Sequence, residues 1–213
     1  TLFWLVGISN AVNLIDGLDG LAGGVSAIAA ITMAVVAFSS GYYTAAILAI
    51  FLVFALLGFL RYNFSPAQIF MGDSGSLFLG FTLGALAIMG FSKGATMISL
   101  VIPVLILGIP IFDTFFAIAR RHQEGKPIFQ ADKGHLHHRL LAMGLSHKQT
   151  VVIIYAITMF MGVAAILLTL ISSTHAVLIL FIVLVLSLIG ARRLGVLHGA
   201  SHKKEEKAKQ PDA

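Results

Sequence analysis

Residues Thr44–Leu60 read TAAILAIFLVFALLGFL, a continuous apolar run without a single charged side chain. A helix needs roughly 20 predominantly apolar residues to cross the hydrocarbon core of a bilayer. The run does not alternate between apolar and polar residues, which argues against the short alternating strands of a membrane β-barrel. It therefore predicts a membrane-spanning helix.

The whole chain has the composition of an integral membrane protein. Of its 213 residues, 58% are hydrophobic and 11% are charged, whereas about 25% of the residues in a soluble domain are charged. Cysteine is absent, so disulfides and thiolate chemistry are excluded for this chain. These proportions predict an all-α fold, a polytopic bundle of transmembrane helices.

Six segments of the chain are long and apolar enough to be full spans, and a partial span precedes them. Because Thr1–Val12 is too short to span alone and has neither an initiator Met nor a basic n-region, we interpret it as the end of a truncated helix. We therefore expect the chain to be the C-terminal part of a longer protein. Residues 1–193 are predicted to form the transmembrane domain and residues 194–213 a disordered, basic cytoplasmic tail. The predicted full spans are about Leu21–Phe38, Thr44–Leu60, Ser74–Phe91, Thr96–Ala119, Thr150–Ile171 and His175–Ala191.

The positive charges fall almost entirely on one side of the predicted bundle. All but one of the 14 Lys and Arg residues lie on that side, and the exception is Lys93. Because loops rich in Lys and Arg remain in the cytoplasm, the charged side is predicted to be cytoplasmic. Three polar stretches, around residues 13–20, 61–73 and 120–148, share this face. We expect a multi-pass plasma-membrane protein whose polar site faces the cytoplasm.

The first polar stretch, Asn13–Gly24, reads NLIDGLDGLAGG and carries two carboxylates, Asp16 and Asp19. On a helix, residues three apart share one face, and carboxylates near a bilayer are costly. With Asn13 beside them and glycines that allow close approach, they are candidates for holding a hard cation such as Mg²⁺ or phosphates. The alternative is a helix-capping aspartate at a tight turn, with the second carboxylate solvated.

The second polar stretch, Phe70–Gly80, reads FMGDSGSLFLG. Asp73 lies just before a predicted span, where Ser74 and the adjacent amides can bind phosphate oxygens at a helix N-terminus. The alternative role of Asp73 is the N-cap of that helix. Asn63 and the exposed-looking Phe70 are candidates for contacts with a nucleobase, although Phe is also common at membrane interfaces.

The third polar stretch, Arg120–Leu140, reads RRHQEGKPIFQADKGHLHHRL. Its three histidines, His135, His137 and His138, and its basic residues, such as Arg121, suit the binding of a diphosphate through charge-assisted hydrogen bonds. One alternative is a zinc site, but neither cysteine nor an HExxH pattern is present. The other is an ordinary positive-inside loop, which explains the Lys and Arg residues but not the clustered histidines.

Two features lie within the predicted spans. Gly80 and Gly84 form a small-xxx-small pair, which is typical of close helix packing. Asp113 is an intramembrane carboxylate and therefore a functional candidate. Pairing with an Arg, or capping a break after Pro110, would also explain it.

The three stretches, in this order and on one face, resemble the polyprenyl-phosphate N-acetylhexosamine 1-phosphate transferases. The resemblance rests on NAVNLIDGLDGLAGG, NFSPAQIFMGDSGSLFLG and HLHHRL and extends to about Arg193. It implies transfer of a sugar 1-phosphate from a UDP-sugar to undecaprenyl phosphate with release of UMP, and Mg²⁺ as cofactor with Mn²⁺ as its substitute. The implied partners are the UDP-sugar, undecaprenyl phosphate and the lipid bilayer. Nucleic acid is not expected, and a homodimer is left open.

By position, the resemblance implies a role for each candidate residue. The implied metal ligand is Asp73, the implied catalytic residues are Asp16, Asp19 and His135, and the implied substrate-binding residues are Asn13, Asn63, Phe70, Arg121, His137 and His138. The His-Leu-His-His order is similar to the N-acetylglucosamine branch, whereas the muramoyl-pentapeptide branch has three consecutive histidines. The chain thus resembles enzymes that begin teichoic-acid or related wall-glycopolymer synthesis, with another UDP-sugar, such as UDP-muramoyl-pentapeptide, as the alternative.

The family also carries an acidic pair in an N-terminal half that this chain does not contain, so we expect the chain alone to be inactive. Phosphoryl transfer between two anions requires positioning and charge neutralisation more than a protein nucleophile. We favour direct attack of the lipid phosphate on the sugar-bearing phosphorus, with a covalent aspartyl-phosphate as the alternative. An ion-coupled transporter is the rival from another class, but such proteins carry their acids near the midplane, often in a repeat.

Overall fold

The described part of the chain consists of helices joined by turns and loops. The computed structural model describes residues 1–91, 97–123, 125 and 134–170, and these ranges contain no strand. The all-α prediction is confirmed for this part of the chain. The helices are α1 (Leu2–Leu14), α2 (Leu21–Ser39), α3 (Tyr43–Asn63), α4 (Gly72–Phe91), α5 (Met97–Ile106), α6 (Gly108–Gln123), α7 (Leu136–Ala142) and α8 (His147–Leu170).

Four of the described helices are long and apolar enough to cross a membrane. They are α2, α3, residues Gly72–Gly90 of α4, and α8, and they coincide with four of the six predicted spans. Helix α1 is a shorter apolar helix. The predicted span His175–Ala191 and the predicted tail 194–213 lie outside the described residues. The total of six full spans therefore stays a prediction.

The predicted span Thr96–Ala119 is not one continuous helix. Helices α5 and α6 are separated at Leu107. Pro110 has no N–H group, so it cannot donate the helical hydrogen bond to the carbonyl of Ile106, where α5 ends. The prediction of a single helix is wrong at this point, because the hydrogen bond that Pro110 cannot make leaves the helix interrupted one turn before it.

Helix α2 is central in the described bundle. It packs along α3 and α8 and also contacts α4 and α5, and most of its side chains are buried, including Met33 and Val36. Helix α3 instead exposes large apolar side chains such as Phe51 and Phe54. A helix that exposes such side chains is suited to contact with lipid acyl chains. Burial thus distinguishes the centre of the bundle from its apolar periphery.

Helices α1 and α4 cross at close range. A Cβ atom at Gly80 would lie 2.6 Å from the Cα of Ser9, and the indole Nε1 of Trp4 donates a 3.1 Å hydrogen bond to the carbonyl oxygen of Gly84. The prediction that Gly80 and Gly84 allow close helix packing is confirmed. This crossing fixes the C-terminal end of α1 beside the N-terminal end of α4.

Candidate active site

Residues 15–20 form the acidic loop, a turn between α1 and α2. The prediction that Asp16 and Asp19 share a helical face is wrong, because α1 ends at Leu14 and the glycine-rich sequence turns instead. Gly20 has a φ of 78°, in the left-handed region that glycine adopts without strain. The two aspartates consequently have different neighbours.

Asp19 connects the acidic loop to residues 64–71, the loop between α3 and α4. Its Oδ2 accepts a 3.0 Å hydrogen bond from the backbone N–H of Ala67. The carboxylate of Asp19 is therefore engaged in holding two loops together. Its predicted catalytic role stays a prediction.

Asp16 and Asp73 form the candidate metal-binding pair. Asp73 is exposed in the first turn of α4 rather than preceding the helix, and Asp16 is half-buried. Burial, followed by repulsion from Asp73, raises the pKa of the Asp16 carboxyl above its ordinary value. A divalent cation held by both carboxylates would remove this repulsion, so the pair fits an oxygen-ligated ion such as Mg²⁺. The described residues contain no cluster of three or more ligating side chains, so this pair is what they could contribute to a metal site.

Asn63 fastens the acidic loop to loop 64–71 from within the protein. Its side chain is buried, its Oδ1 accepts a 3.0 Å hydrogen bond from the N–H of Gly20, and its Nδ2 donates a 2.9 Å bond to the carbonyl of Ile69. Both polar atoms thus serve to position the loops, and contact with a nucleobase stays a prediction for Asn63. Phe70, in contrast, is 77% exposed, as its sequence position suggested, and its ring is accessible for stacking.

Two residues that the sequence did not single out, Ser76 and Tyr155, hold Asn13 just before the acidic loop and Gly20 at its end. The Ser76 hydroxyl donates a 2.5 Å hydrogen bond to Oδ1 of Asn13, and the Tyr155 hydroxyl donates a 2.5 Å bond to the carbonyl of Gly20. A Cβ atom at Gly24 would overlap the Tyr155 side chain. The sequence signal was the run of glycines, which indicates a close approach without identifying the partner.

His135 is paired with Asp113. Its Nδ1 lies 2.9 Å from Oδ2 of Asp113, and both side chains are 6% exposed. The other carboxylate oxygen, Oδ1, accepts a 2.8 Å hydrogen bond from the N–H of Leu136, the first residue of α7. The sequence suggested an Arg partner or a break after Pro110 for Asp113, whereas the structure shows that Asp113 caps α7 and contacts a candidate catalytic histidine.

His137 brings α7 against the acidic loop. Its buried ring is parallel to that of His135, with centroids 5.9 Å apart and an interplanar angle of 2°. A Cβ atom at Gly17 would lie 2.6 Å from Nε2 of His137, so only glycine admits the ring here. Burial, followed by the neighbouring His138, lowers the pKa of His137 to about 4. The predicted role of His137 in binding a diphosphate stays a prediction.

The rest of the histidine stretch is described in part. The exposed ring of His138 lies 4.2 Å from that of His137, measured between centroids. Arg121 is half-buried in the last turn of α6. The predicted basic residues Lys126 and Lys133 lie outside the described residues. The zinc alternative gains no support within the described ranges, since no cluster of three ligating side chains occurs there.

These contacts bring the three polar stretches together at one end of the bundle. The acidic loop touches α7 through Gly17 and loop 64–71 through Asp19. Asn13, in the last turn of α1, contacts α4 through Ser76, and Asp16 lies close enough to Asp73 for their charges to interact. The predicted convergence is confirmed. The side of the membrane on which it lies stays a prediction.

Known proteins share this sequence pattern. The sequence model of Glycosyl transferase family 4 matches residues 1–91, which include the acidic loop and Asp73. A probable undecaprenyl-phosphate N-acetylglucosaminyl 1-phosphate transferase of Bacillus subtilis is 48% identical over 198 residues, which are 93% of this chain and 55% of the relative. The chain belongs to glycosyl transferase family 4. The resemblance inferred from the three motifs is thereby confirmed.

Other relatives of this family 4 chain differ in the sugar that their names specify. A decaprenyl-phosphate N-acetylglucosaminephosphotransferase of Mycobacterium tuberculosis is 40% identical over 186 residues, 78% of this chain and 45% of the relative. A phospho-N-acetylmuramoyl-pentapeptide-transferase of Staphylococcus aureus is 38% identical over 161 residues, 76% of this chain and 48% of the relative. The chain spans about half the length of these curated relatives.

Proposed function

We propose that this chain carries the active site of an enzyme that transfers N-acetylglucosamine 1-phosphate from UDP-N-acetylglucosamine to undecaprenyl phosphate and releases UMP. The observation that carries the proposal is the contact of Gly17 with His137, which joins the carboxylates of the acidic loop to the histidines of α7. The names of the Bacillus and Mycobacterium relatives support a polyprenyl-phosphate acceptor and this amino sugar. The reaction would be the first membrane step of teichoic-acid or related wall-glycopolymer synthesis.

The proposed reaction is a direct displacement. An oxygen of the lipid phosphate bonds to the sugar-bearing β-phosphorus, the bond from that phosphorus to the bridging oxygen breaks, and UMP leaves with the electron pair. Positioning and charge neutralisation are the main requirements when both reactants are anions. When bound to Asp16 and Asp73, Mg²⁺ would supply the charge neutralisation.

The other candidate residues suit the remaining tasks. Asp19 and Asn63 hold loop 64–71 in place, so the exposed ring of Phe70 is presented for stacking on the uracil base. His135 offers a ring nitrogen that can exchange a proton with a phosphate. We also propose that the site faces the cytoplasm, because the sequence predicts that the Lys and Arg residues lie on the same side of the membrane as the three polar stretches.

The proposal is tested with the full-length protein in detergent. Radiolabelled UMP is incubated with unlabelled UDP-sugar and the sugar-1-phosphate-loaded lipid, and label that enters the UDP-sugar is measured. We expect exchange with the N-acetylglucosamine form. Exchange only with the muramoyl-pentapeptide form would replace the proposed donor, and the absence of exchange with every UDP-sugar would overturn the proposed function.

The direct displacement has its own test. The protein is incubated with UDP-N-acetylglucosamine labelled in the β-phosphate, in the absence of lipid. A direct reaction leaves the protein unlabelled. Label trapped on the protein that is stable in cold acid but released by hydroxylamine would establish the aspartyl-phosphate alternative instead.

A further inference from the structure

Asp113 is a buried carboxylate that uses both of its oxygens on the start of one short helix. Oδ2 lies 2.9 Å from Nδ1 of His135, and Oδ1 accepts a 2.8 Å hydrogen bond from the N–H of Leu136. Asp113 reaches this point from α6, another element of the bundle. Burial of a carboxylate opposes folding unless its hydrogen-bonding capacity is satisfied. One oxygen would suffice to cap α7, so the second contact needs its own explanation.

The second contact decides which nitrogen of His135 carries a hydrogen. An ionised carboxylate only accepts hydrogen bonds, so Nδ1 must be the donor to Oδ2. Nε2 is then the atom that can exchange a proton with a ligand. The ring of His137 lies parallel to that of His135, with centroids 5.9 Å apart.

We propose that Asp113 is a positioning residue for phosphoryl transfer: it holds His135 in the Nδ1-protonated tautomer and anchors the start of α7. This inference rests on the proposed function, in which His135 takes part in the reaction. Asp113 itself acts through the histidine and does not touch the substrate. Removal of its charge should therefore affect turnover more than substrate binding.

Asp113→Asn is the main variant because it keeps the shape of the side chain. Its Oδ1 still accepts from Leu136 N–H, so α7 keeps its cap, but its Nδ2 group donates to Nδ1 of His135 and forces the other tautomer. We expect kcat to fall about a hundredfold, while the KM for UDP-N-acetylglucosamine changes less than about threefold. An unchanged kcat would overturn the inference.

Ser146→Ala is the matched control. It removes the hydroxyl that accepts a 3.3 Å hydrogen bond from Gln149 N–H at the start of α8. It therefore removes a helix cap without altering His135. We expect its kcat and KM to match those of the unsubstituted protein.

A double-mutant cycle separates positioning from a merely structural role. The kcat of Asp113→Asn, His135→Ala and the double variant are compared in the full-length protein. If Asp113 acts through His135, the double variant is as slow as His135→Ala to within about threefold. Two losses that multiply would overturn the inference.

Thermal unfolding in detergent measures the coupling between Asp113 and His135 in the absence of substrate. It compares the Tm of the unsubstituted protein, the two single variants and the double variant. If the unsubstituted protein transfers the sugar 1-phosphate normally but the kcat losses of Asp113→Asn and His135→Ala multiply, the positioning role of Asp113 is refuted and the proposed function stands. If no UDP-sugar supports transfer but the shifts in Tm are non-additive, the proposed function is refuted and only the contact between Asp113 and His135 is established.

Should Asp113→Asn fail to fold, Asp113→Glu is the second variant, because it moves the charge by one methylene group. The same fall in kcat at unchanged KM is then expected, and normal kcat would overturn the inference.

Discussion

Asp73 is an exposed carboxylate at the start of α4. Burial raises the pKa of the neighbouring Asp16 carboxyl, and repulsion from Asp73 raises it further. Asp73→Asn removes a charge from this pair with almost no change in volume. If the pair holds Mg²⁺, UMP release in the full-length protein should fall at least about a hundredfold, since metal coordination contributes several kcal/mol to such reactions. The Tm should stay within a few degrees, because Asp73 is exposed. Near-normal turnover at saturating Mg²⁺ would refute its role as a ligand.

Asn63 joins two loops through a buried amide, and its loss leaves Gly20 N–H and the Ile69 carbonyl without this partner. Asn63→Ala should lower the free energy of unfolding by about 2 kcal/mol. Asn10→Ala is the matched control, because Asn10 is exposed and donates a local 2.7 Å hydrogen bond to the carbonyl of Val6. Its effect should be below about 0.5 kcal/mol. Equal losses of stability, measured by unfolding in detergent, would contradict the bridging role.

His137 gives the protein a predictable response to acid. The ordinary pKa of 6.5 applies to the unfolded chain, whereas burial and then His138 lower the folded value to about 4. Between these values the unfolded chain binds a proton that the folded protein does not, so stability present above pH 6.5 is lost as the pH falls toward about 4.

The variant His137→Asn should lose part of this dependence. The measurement is Tm in detergent as a function of pH, compared with the unsubstituted protein. His147→Asn, at an exposed position of α8, is the control and should keep the full dependence. Identical pH curves for His137→Asn and the unsubstituted protein would contradict the neutral buried ring.

At the scale of single residues, the sequence identified candidate site residues whose side-chain chemistry is rare in an apolar chain. Asp16, Asp73 and the histidines stand out because charged or titratable groups near a bilayer are energetically costly and are therefore functional candidates. Tyr155 did not stand out, because a tyrosine in an apolar helix is compatible with ordinary packing. The partner of Asp113 was also missed, since tertiary contacts between α6 and α7 leave no local pattern.

At the level of elements, the contact of α2 with α8 depends on the absence of a side chain at Gly24. A Cβ atom there would overlap Tyr155. Gly24→Ala should therefore displace α8, break the bond from Tyr155 to Gly20, and lower both Tm and UMP release. The reason is steric, since overpacking typically costs about 1–3 kcal/mol.

Gly58→Ala is the matched control for this substitution. Gly58 lies inside α3, and a Cβ atom there meets no atom within 4 Å. Alanine favours helix by about 1 kcal/mol relative to glycine, so Tm should be unchanged or slightly higher. A similar fall in Tm for both variants would show that the contact with Tyr155 is unimportant.

The long apolar helices were predictable because the length of a continuous apolar run is enough to indicate a membrane-spanning helix. Four predicted spans coincide with described helices. The interruption at Leu107 was not predicted, because a proline within an apolar run either kinks or ends a helix depending on its neighbours. For residues 15–20 the i, i+3 spacing of the aspartates favoured a helical face and left a tight turn as the alternative, because spacing alone ignores the preference of Gly17 and Gly20 for turns.

At the scale of the whole molecule, α2 organises the site. Its N-terminal end follows the acidic loop, and its packing along α3 and α8 brings Asn63 and Tyr155 to Gly20. The α1–α4 crossing then sets Ser76 beside Asn13. The order of motifs along the chain suggested a common face. Their direct contacts depend on helix packing, which hydropathy does not encode.

The central claim is that separate stretches of the chain form one site. Because these 213 residues contain no cysteine, a linked peptide from this part of the protein identifies the introduced positions. Cysteines are introduced at Leu18 and His138, the neighbours of the Gly17–His137 contact, and the full-length protein in membranes is treated with a short bis-maleimide. Mass spectrometry of the linked peptides should identify a crosslink between positions 18 and 138. The pair Leu18→Cys and Ser40→Cys, at opposite ends of α2, should give none. If both positions of the first pair react with a monofunctional maleimide yet no crosslink forms, the acidic loop and α7 do not share a site, and the central claim is contradicted.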